Sequence, residues 1–345
     1  MKLKTFIHCI VITFITLFIA TMMGGWYVYH FFQQPIQFNS DNNLFTLKRG
    51  ASITQLAIQL QEQSLVKDSY LLPYIIKIHP SLRNIKSGTY QLTPNMTLEQ
   101  FLKLLNSGKE VQFKVKLVEG KTAKDWLASL QNSKYVDHQL IGLSDAEIAK
   151  KLDLDMPLEG WLYPDTYNYT AGSSDLAIVK RAYQKMQTVL QTTWEERDDN
   201  LPYKNAYELL IMASIIEKET GVDSERSKVA SVFINRLNNR MMLQTDPTVI
   251  YGMGDNYNGR ILTKDLRDKT NLYNTYVIVG LPPTPIAMPS KASLEAAAHP
   301  AQTEYLYFVA DGDGGHTFST TYTNHKKAVD LYWKKMRNST STSTH

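Results

Sequence analysis

Cysteine is all but absent. The one copy, Cys9, excludes an intramolecular disulfide and any thiolate-rich metal site. A charge excess is missing too: 37 Lys and Arg stand against 33 Asp and Glu, a net charge of +4. No dense basic run concentrates that surplus, so nucleic acid is not an expected partner. The eight histidines include no H-E-x-x-H pair, which argues against a zinc peptidase. Neither a G-x-S-x-G elbow nor a Walker A loop occurs. DGDGG at 311–315 lacks the spacing and closing Glu of a calcium loop and reads as a hairpin turn. No metal and no cofactor are expected. Internal repeats are lacking as well.

What is present is an ordinary globular composition with one exception. The chain has 345 residues, 43% of them hydrophobic, enough for about two domains. The exception is the stretch 6–29, which follows Lys2 and Lys4 and contains no Asp, Glu, Lys or Arg. About 20 helical residues cross a ~30 Å hydrocarbon core, so this stretch is long enough. Trp26, Tyr27 and Tyr29 stand at its far end, where an aromatic belt belongs. No Lys or Arg follows before Lys48. The positive-inside rule then leaves 1–5 in the cytoplasm and puts the chain beyond His30 outside. A cleaved signal would be shorter and would carry an A-x-A-like site, which 20–25 does not. A retained membrane anchor over 6–29 is expected, followed by a polar linker over 30–43.

The exported part divides by pattern. Residues 44–110 read as strand, helices and strand: Phe45–Leu47 alternates, Ser52 and Thr97 cap apolar-periodic helices, and Gly108 ends the last. This small α+β module resembles, loosely, a LysM-like glycan-binding unit. An intermediate region, 111–204, contains the aromatic segment LEGWLYPDTYNYT. A third region, 205–337, holds the residues that could carry chemistry, and a Ser/Thr-rich tail, 338–345, is expected to be disordered. Within the third region, 207–220 is a helix apolar from Leu209 to Ile216 except at Ser214. It closes on two carboxylates, Glu217 and Glu219. A carboxyl at the end of a buried helix is partly desolvated, which lets it keep a proton as a general acid must. Spacing alone does not choose between the two. Residues 248–251 and 305–310 read as strands, expected to form a sheet beside this helix.

Seven short segments in fixed order then carry a resemblance: IIEKET, VFINRL, LQTDPTVIYG, YNTY, GLPPTPIAMP, AAAHP and YLYFVADGDGGHTFS. With LEGWLYPDTY, the module and the anchor, the chain resembles the endolytic murein transglycosylase (YceG-like) family along nearly its whole length. The resemblance implies an α+β fold: a LysM-like module, a mixed α+β catalytic domain and one N-terminal transmembrane helix. It implies a lytic transglycosylase that cleaves the β-1,4 bond between N-acetylmuramic acid and N-acetylglucosamine in new peptidoglycan strands, leaving 1,6-anhydro ends. The bacterial cytoplasmic membrane and a peptidoglycan synthase are the implied location and partner. The family's acid, matched to the first Glu of EKET, falls on Glu217. Asn235, Gln244, Asp246, Asn274 and Tyr276 are expected in the cleft as partners for sugar hydroxyls and acetamides. His316 is expected to reach the site from the hairpin, and Tyr163 and Asp165 to line the glycan path. Two alternatives stand: a muramidase using Asp246 as second carboxylate, and a scaffold that binds peptidoglycan without cutting it.

Overall fold

The computed structural model describes residues 2–39 and 43–342. It divides into two compact units, Met1–Phe113 and Lys114–His345.

The first unit begins with α1 (Lys2–Gln33), whose span Phe6–Gln33 is long and apolar enough to cross a membrane. Its last turn is different: Phe31 and Phe32 are buried in the unit's core. The segment expected as a linker is docked there too. Ile36 donates its N–H to the Met96 carbonyl at 2.8 Å, Gln37 donates to Leu65 at 2.8 Å, and Pro35 bridges Thr97. Ile36 is buried and Phe38 partly so. Burying those side chains outweighs leaving the segment solvated. Part of the expected linker, 40–42, lies outside the described residues.

β1 (Leu44–Leu47) pairs antiparallel with β2 (Gly88–Gln91), Phe45 opposite Tyr90. Between them run α2 (Ile53–Glu62) and the short α3 (Leu72–Ile75); α4 (Leu98–Ser107) follows. Ser52 with Gln55, and Thr97 with Gln100, form capping boxes that satisfy the first free N–H groups of α2 and α4. α4 stops at Gly108, whose φ of +69° suits a residue without Cβ. Phe45 meets Phe101 edge-on at 5.0 Å, and Leu56, Leu60, Leu98, Leu102 and Leu105 close the core around them.

In the second unit β3 (Phe113–Leu117) pairs with β4 (Asp165–Tyr169), and α5 (Ala123–Gln131) and α6 (Asp145–Lys151) intervene in sequence. Five helices follow: α7 (Asp175–Glu196), α8 (Ala206–Glu219), α9 (Arg226–Asn238), α10 (Asp246–Met253) and α11 (Lys291–Ala298). The antiparallel hairpin β5 (Tyr307–Ala310) and β6 (His316–Ser319) turns through DGDGG, and α12 (Tyr322–Thr342) completes the unit. The result is mixed α+β with one N-terminal apolar helix.

One expectation is overturned here. The 248–251 segment is helix α10, not a strand. Its Thr, Val and Ile are good strand formers, but Pro247 sits in the first turn, and the Thr248 hydroxyl bonds the Thr245 carbonyl at 2.8 Å. Residues 248–251 therefore add no strand beside α8, which packs against α7, α9, α10 and α11. α12 continues as far as Thr342. Extending an existing helix needs no new nucleus, so poor helix formers can follow. Residues 343–345 lie outside the described residues.

Candidate active site

α8 is the element that places the carboxylates. Asn205 caps it by accepting the Glu208 N–H, and every residue from Leu209 to Ile216 is buried. Ser214, its one polar interior residue, is satisfied twice. Its hydroxyl donates to the Ile211 carbonyl at 2.7 Å and accepts the Ile286 N–H at 3.0 Å. That second bond fastens the proline-rich loop 281–289 to α8. Beyond Ile216 the helix reaches partly open surroundings, and Glu217 and Glu219 emerge there. Two residues apart on a helix is 200° of rotation, so the two carboxylates meet different neighbours.

Glu217, expected as the acid, caps α11. Its Oε2 accepts the Ser290 N–H at 2.9 Å, the Ser290 hydroxyl at 2.5 Å and the Ser293 hydroxyl at 2.6 Å. Ser290 is itself the N-cap of α11. A carboxylate here satisfies helix-terminal donors and meets the positive end of the helix dipole. Its oxygen is committed to three donors inside the protein.

Glu219 lines a cavity of about 360 Å³ with Arg236, Gln244, Asp246, Tyr276, Phe308 and His325. Burial pushes its carboxyl above the usual range, and the Asp246 charge adds to that; Thr245, His316 and Arg236 pull the other way. The Thr245 hydroxyl donates to Glu219 Oε1. A carboxyl that resists ionisation beside an open cavity can deliver a proton to what the cavity holds.

The cavity wall is held by long-range bonds. Asp246, the first residue of α10, accepts the Tyr276 hydroxyl at 2.6 Å. Gln244 adopts a φ of +50° and donates its N–H to the Thr275 carbonyl at 3.1 Å. Arg236, buried on α9, donates to the carbonyls of Leu306 at 2.7 Å, Leu243 at 2.9 Å and Met242 at 3.2 Å. It thereby ties hairpin and α10 approach to one helix. His325 of α12 stacks on Tyr307 at 5.1 Å, and its Nδ1 is buried with no partner. Burial holds its pKa below the ordinary histidine value, leaving a neutral ring with an unused nitrogen.

Of the residues proposed from sequence, Gln244, Asp246 and Tyr276 line the cavity with Glu219. His316 borders it: its ring meets Phe308 edge-on at 5.4 Å. Asn235 and Asn274 do not line it. Asn235 donates to the carbonyls of Thr303 and Tyr305 at 2.8 and 2.9 Å, and Asn274 to those of Asp265 and Asp268 at 3.1 and 2.9 Å. Both brace loops. Tyr163 and Asp165 are also elsewhere, with Lys185 over the Tyr163 ring at 4.7 Å and paired with Asp165. That ion pair draws the Asp165 carboxyl below its ordinary value. Sequence reasoning did not assign roles to Thr245, Arg236 and His325. Arg236 carried a signal, the single cation in the mostly apolar stretch VFINRL.

The sequence pattern of the YceG-like family matches residues 45–331. The chain belongs to the YceG-like family. An endolytic murein transglycosylase of Bacillus subtilis (strain 168) is 32% identical over 332 residues, covering 90% of this chain and 91% of that one. An endolytic murein transglycosylase of Streptococcus pneumoniae serotype 2 is 26% identical over 361 residues, 94% of this chain and 64% of its own length. The crystal structure of a YceG-like protein from Listeria monocytogenes matches with a TM-score of 0.53 at 29% identity, covering 82% of this chain and 97% of that one.

Proposed function

We propose that this YceG-like chain is an endolytic murein transglycosylase whose acid is Glu219 rather than Glu217. The Bacillus and Streptococcus relatives carry that activity in their names. One observation supports Glu219: its carboxyl, whose pKa burial raises, lines a cavity with Asp246, Gln244 and Tyr276. Glu217 is occupied at the N-terminus of α11.

The chemistry needs one carboxyl. Glu219 gives its proton to the oxygen linking N-acetylmuramic acid to N-acetylglucosamine as that bond breaks. The oxocarbenium-like carbon is captured by the sugar's own C6 hydroxyl. Glu219, now ionised, takes that hydroxyl's proton and is restored. The product carries a 1,6-anhydro end, and no water enters. Proton transfer of this kind supplies about 10²–10⁴-fold in rate. Gln244 and Tyr276 are the groups offered to sugar hydroxyls and acetamides. Asp246 also lines the cavity, which keeps hydrolysis by a second carboxylate as the competing reading.

α1 is proposed as a single-pass anchor in the cytoplasmic membrane of a bacterium, with the chain beyond it outside. The 44–110 module is proposed to bind glycan in a LysM-like manner, 205–337 to be the catalytic region, and a peptidoglycan synthase to be a partner. The test uses the full chain in detergent with uncrosslinked glycan strands, reading new ends by mass spectrometry. Anhydro ends from the wild type and from Glu217→Gln, with none from Glu219→Gln, are expected. Reducing ends would establish hydrolysis instead. Loss of cleavage in Glu217→Gln alone would return the acid to Glu217.

A further inference from the structure

We propose that Glu225 is a positioning residue for the reaction at Glu219, acting through His316; this rests on Glu219 being the acid. Glu225 ends the short turn Asp223–Glu225 that leads into α9. Its carboxylate reaches across to the β5–β6 hairpin and uses both oxygens on one residue. Oε1 accepts the His316 backbone N–H at 3.0 Å, and Oε2 lies 2.7 Å from His316 Nδ1. An ionised carboxylate only accepts, so Nδ1 carries the proton in this pair. Both side chains are mostly withdrawn from water, Glu225 15% and His316 17% exposed.

The contact is built rather than incidental. Gly315 makes room for it: a Cβ there would stand 2.9 Å from Glu225 Oε1 and 3.0 Å from Asp311 Oδ2. The backbone bond sets where the hairpin strand lies, and the ring bond sets how the imidazole is turned. With Nδ1 committed to Glu225, Nε2 is the nitrogen left to meet a sugar or the acid. The ring packs against Phe308, which shares the cavity with Glu219. The charge of His316 also acts on the Glu219 carboxyl, in company with Asp246 and Arg236. Asp311, in the hairpin turn, is the other acid within reach of the ring's charge. A two-stranded hairpin with four-residue strands offers little else to orient a side chain at its end. Glu225, fixed at the start of α9, supplies that orientation from the helical core.

Acting through another residue has a signature that a merely structural role lacks. If Glu225 works by turning His316, removing both costs no more than removing His316. The test measures kcat and KM on uncrosslinked glycan strands for the full chain, Glu225→Gln, His316→Ala and the double variant. Glu225→Gln is expected to lower kcat roughly ten- to hundredfold, the worth of one oriented hydrogen bond to a charged group, with KM nearly unchanged. In the His316→Ala background the same substitution is expected to change kcat no further. Additive losses, or an unchanged kcat in Glu225→Gln, overturn the proposal. Should Glu225→Gln not fold, Gly315→Ala crowds the same oxygen by another route and is measured in the same cycle. Glu219→Gln runs in parallel. Activity in that variant overturns the assignment of the acid and this proposal with it, whereas an inactive Glu219→Gln with additive losses at 225 and 316 overturns this proposal alone.

Discussion

Glu159 lies in the aromatic segment LEGWLYPDTY and is 6% exposed. It accepts the Ala123 N–H at 3.1 Å and the Tyr251 hydroxyl at 3.2 Å, joining the start of α5 to the body of α10. Burial nevertheless dominates and pushes its pKa up to about 7. In the unfolded chain the same group titrates near 4.5. Between those two values the unfolded state has lost its proton while the native state keeps one. The native state binds more protons there, so stability falls as pH rises. A gap of about 2.5 units is worth about 3 kcal/mol, fully present below pH 4.5 and lost once pH passes 7. Glu159→Gln cannot titrate and keeps acceptor and shape. Its stability relative to wild type is therefore expected to climb by about 3 kcal/mol between pH 4.5 and pH 8. Urea unfolding followed by tryptophan fluorescence measures this, since Trp126, Trp161, Trp194 and Trp333 all report on the second unit. The slope against urea should match between the two proteins, so that midpoints compare directly. Parallel pH curves for variant and wild type would refute the reasoning, as would a variant whose stability relative to wild type falls with rising pH.

Other outcomes follow from the same geometry. Glu217→Ala strips three donors at the start of α11 of their acceptor; it should cost about 1–3 kcal/mol in urea unfolding while the folded fraction still cleaves glycan. Loss of cleavage at full stability would contradict the capping role. Gly160→Ala should lower the melting temperature, because φ is +83° and a Cβ would lie 2.5 Å from Pro285. An unchanged melting temperature would show that the two loops do not need that close approach. Arg236→Lys leaves one ammonium where a planar fork serves three carbonyls. It should cost about 2–3 kcal/mol and reduce kcat, since the 242–244 segment leading to Gln244 loses its tie. Wild-type kcat and stability together would refute that tie.

Several features were legible because they depend on neighbours in sequence. The uninterrupted apolar run at 6–29 identifies a membrane-length helix whatever surrounds it. Ser52 and Thr97, each with Gln three residues on, announced helix starts, and Gly108 announced an end. DGDGG announced the hairpin. In α10, by contrast, the β-branched run Thr248–Val249–Ile250 pointed the wrong way, and first-turn Pro247 with buried packing decided for helix. The 30–43 segment looked polar on average, yet Ile36 found a place in the core.

The candidate site divides along the same line. Sequence alone determined that a buried helix ends in two carboxylates and that Gln244, Asp246 and Tyr276 are polar residues near in motif. Only the tertiary structure decided which glutamate faces the cavity. Glu217 meets Ser290 and Ser293 from α11, and Glu219 meets Thr245 and the neighbourhood of Asp246, Arg236 and His316. Those partners come from segments tens of residues away. Helical spacing places the two side chains on different faces; what each face touches is set by how distant elements pack, and packing is not a property of neighbours in the chain.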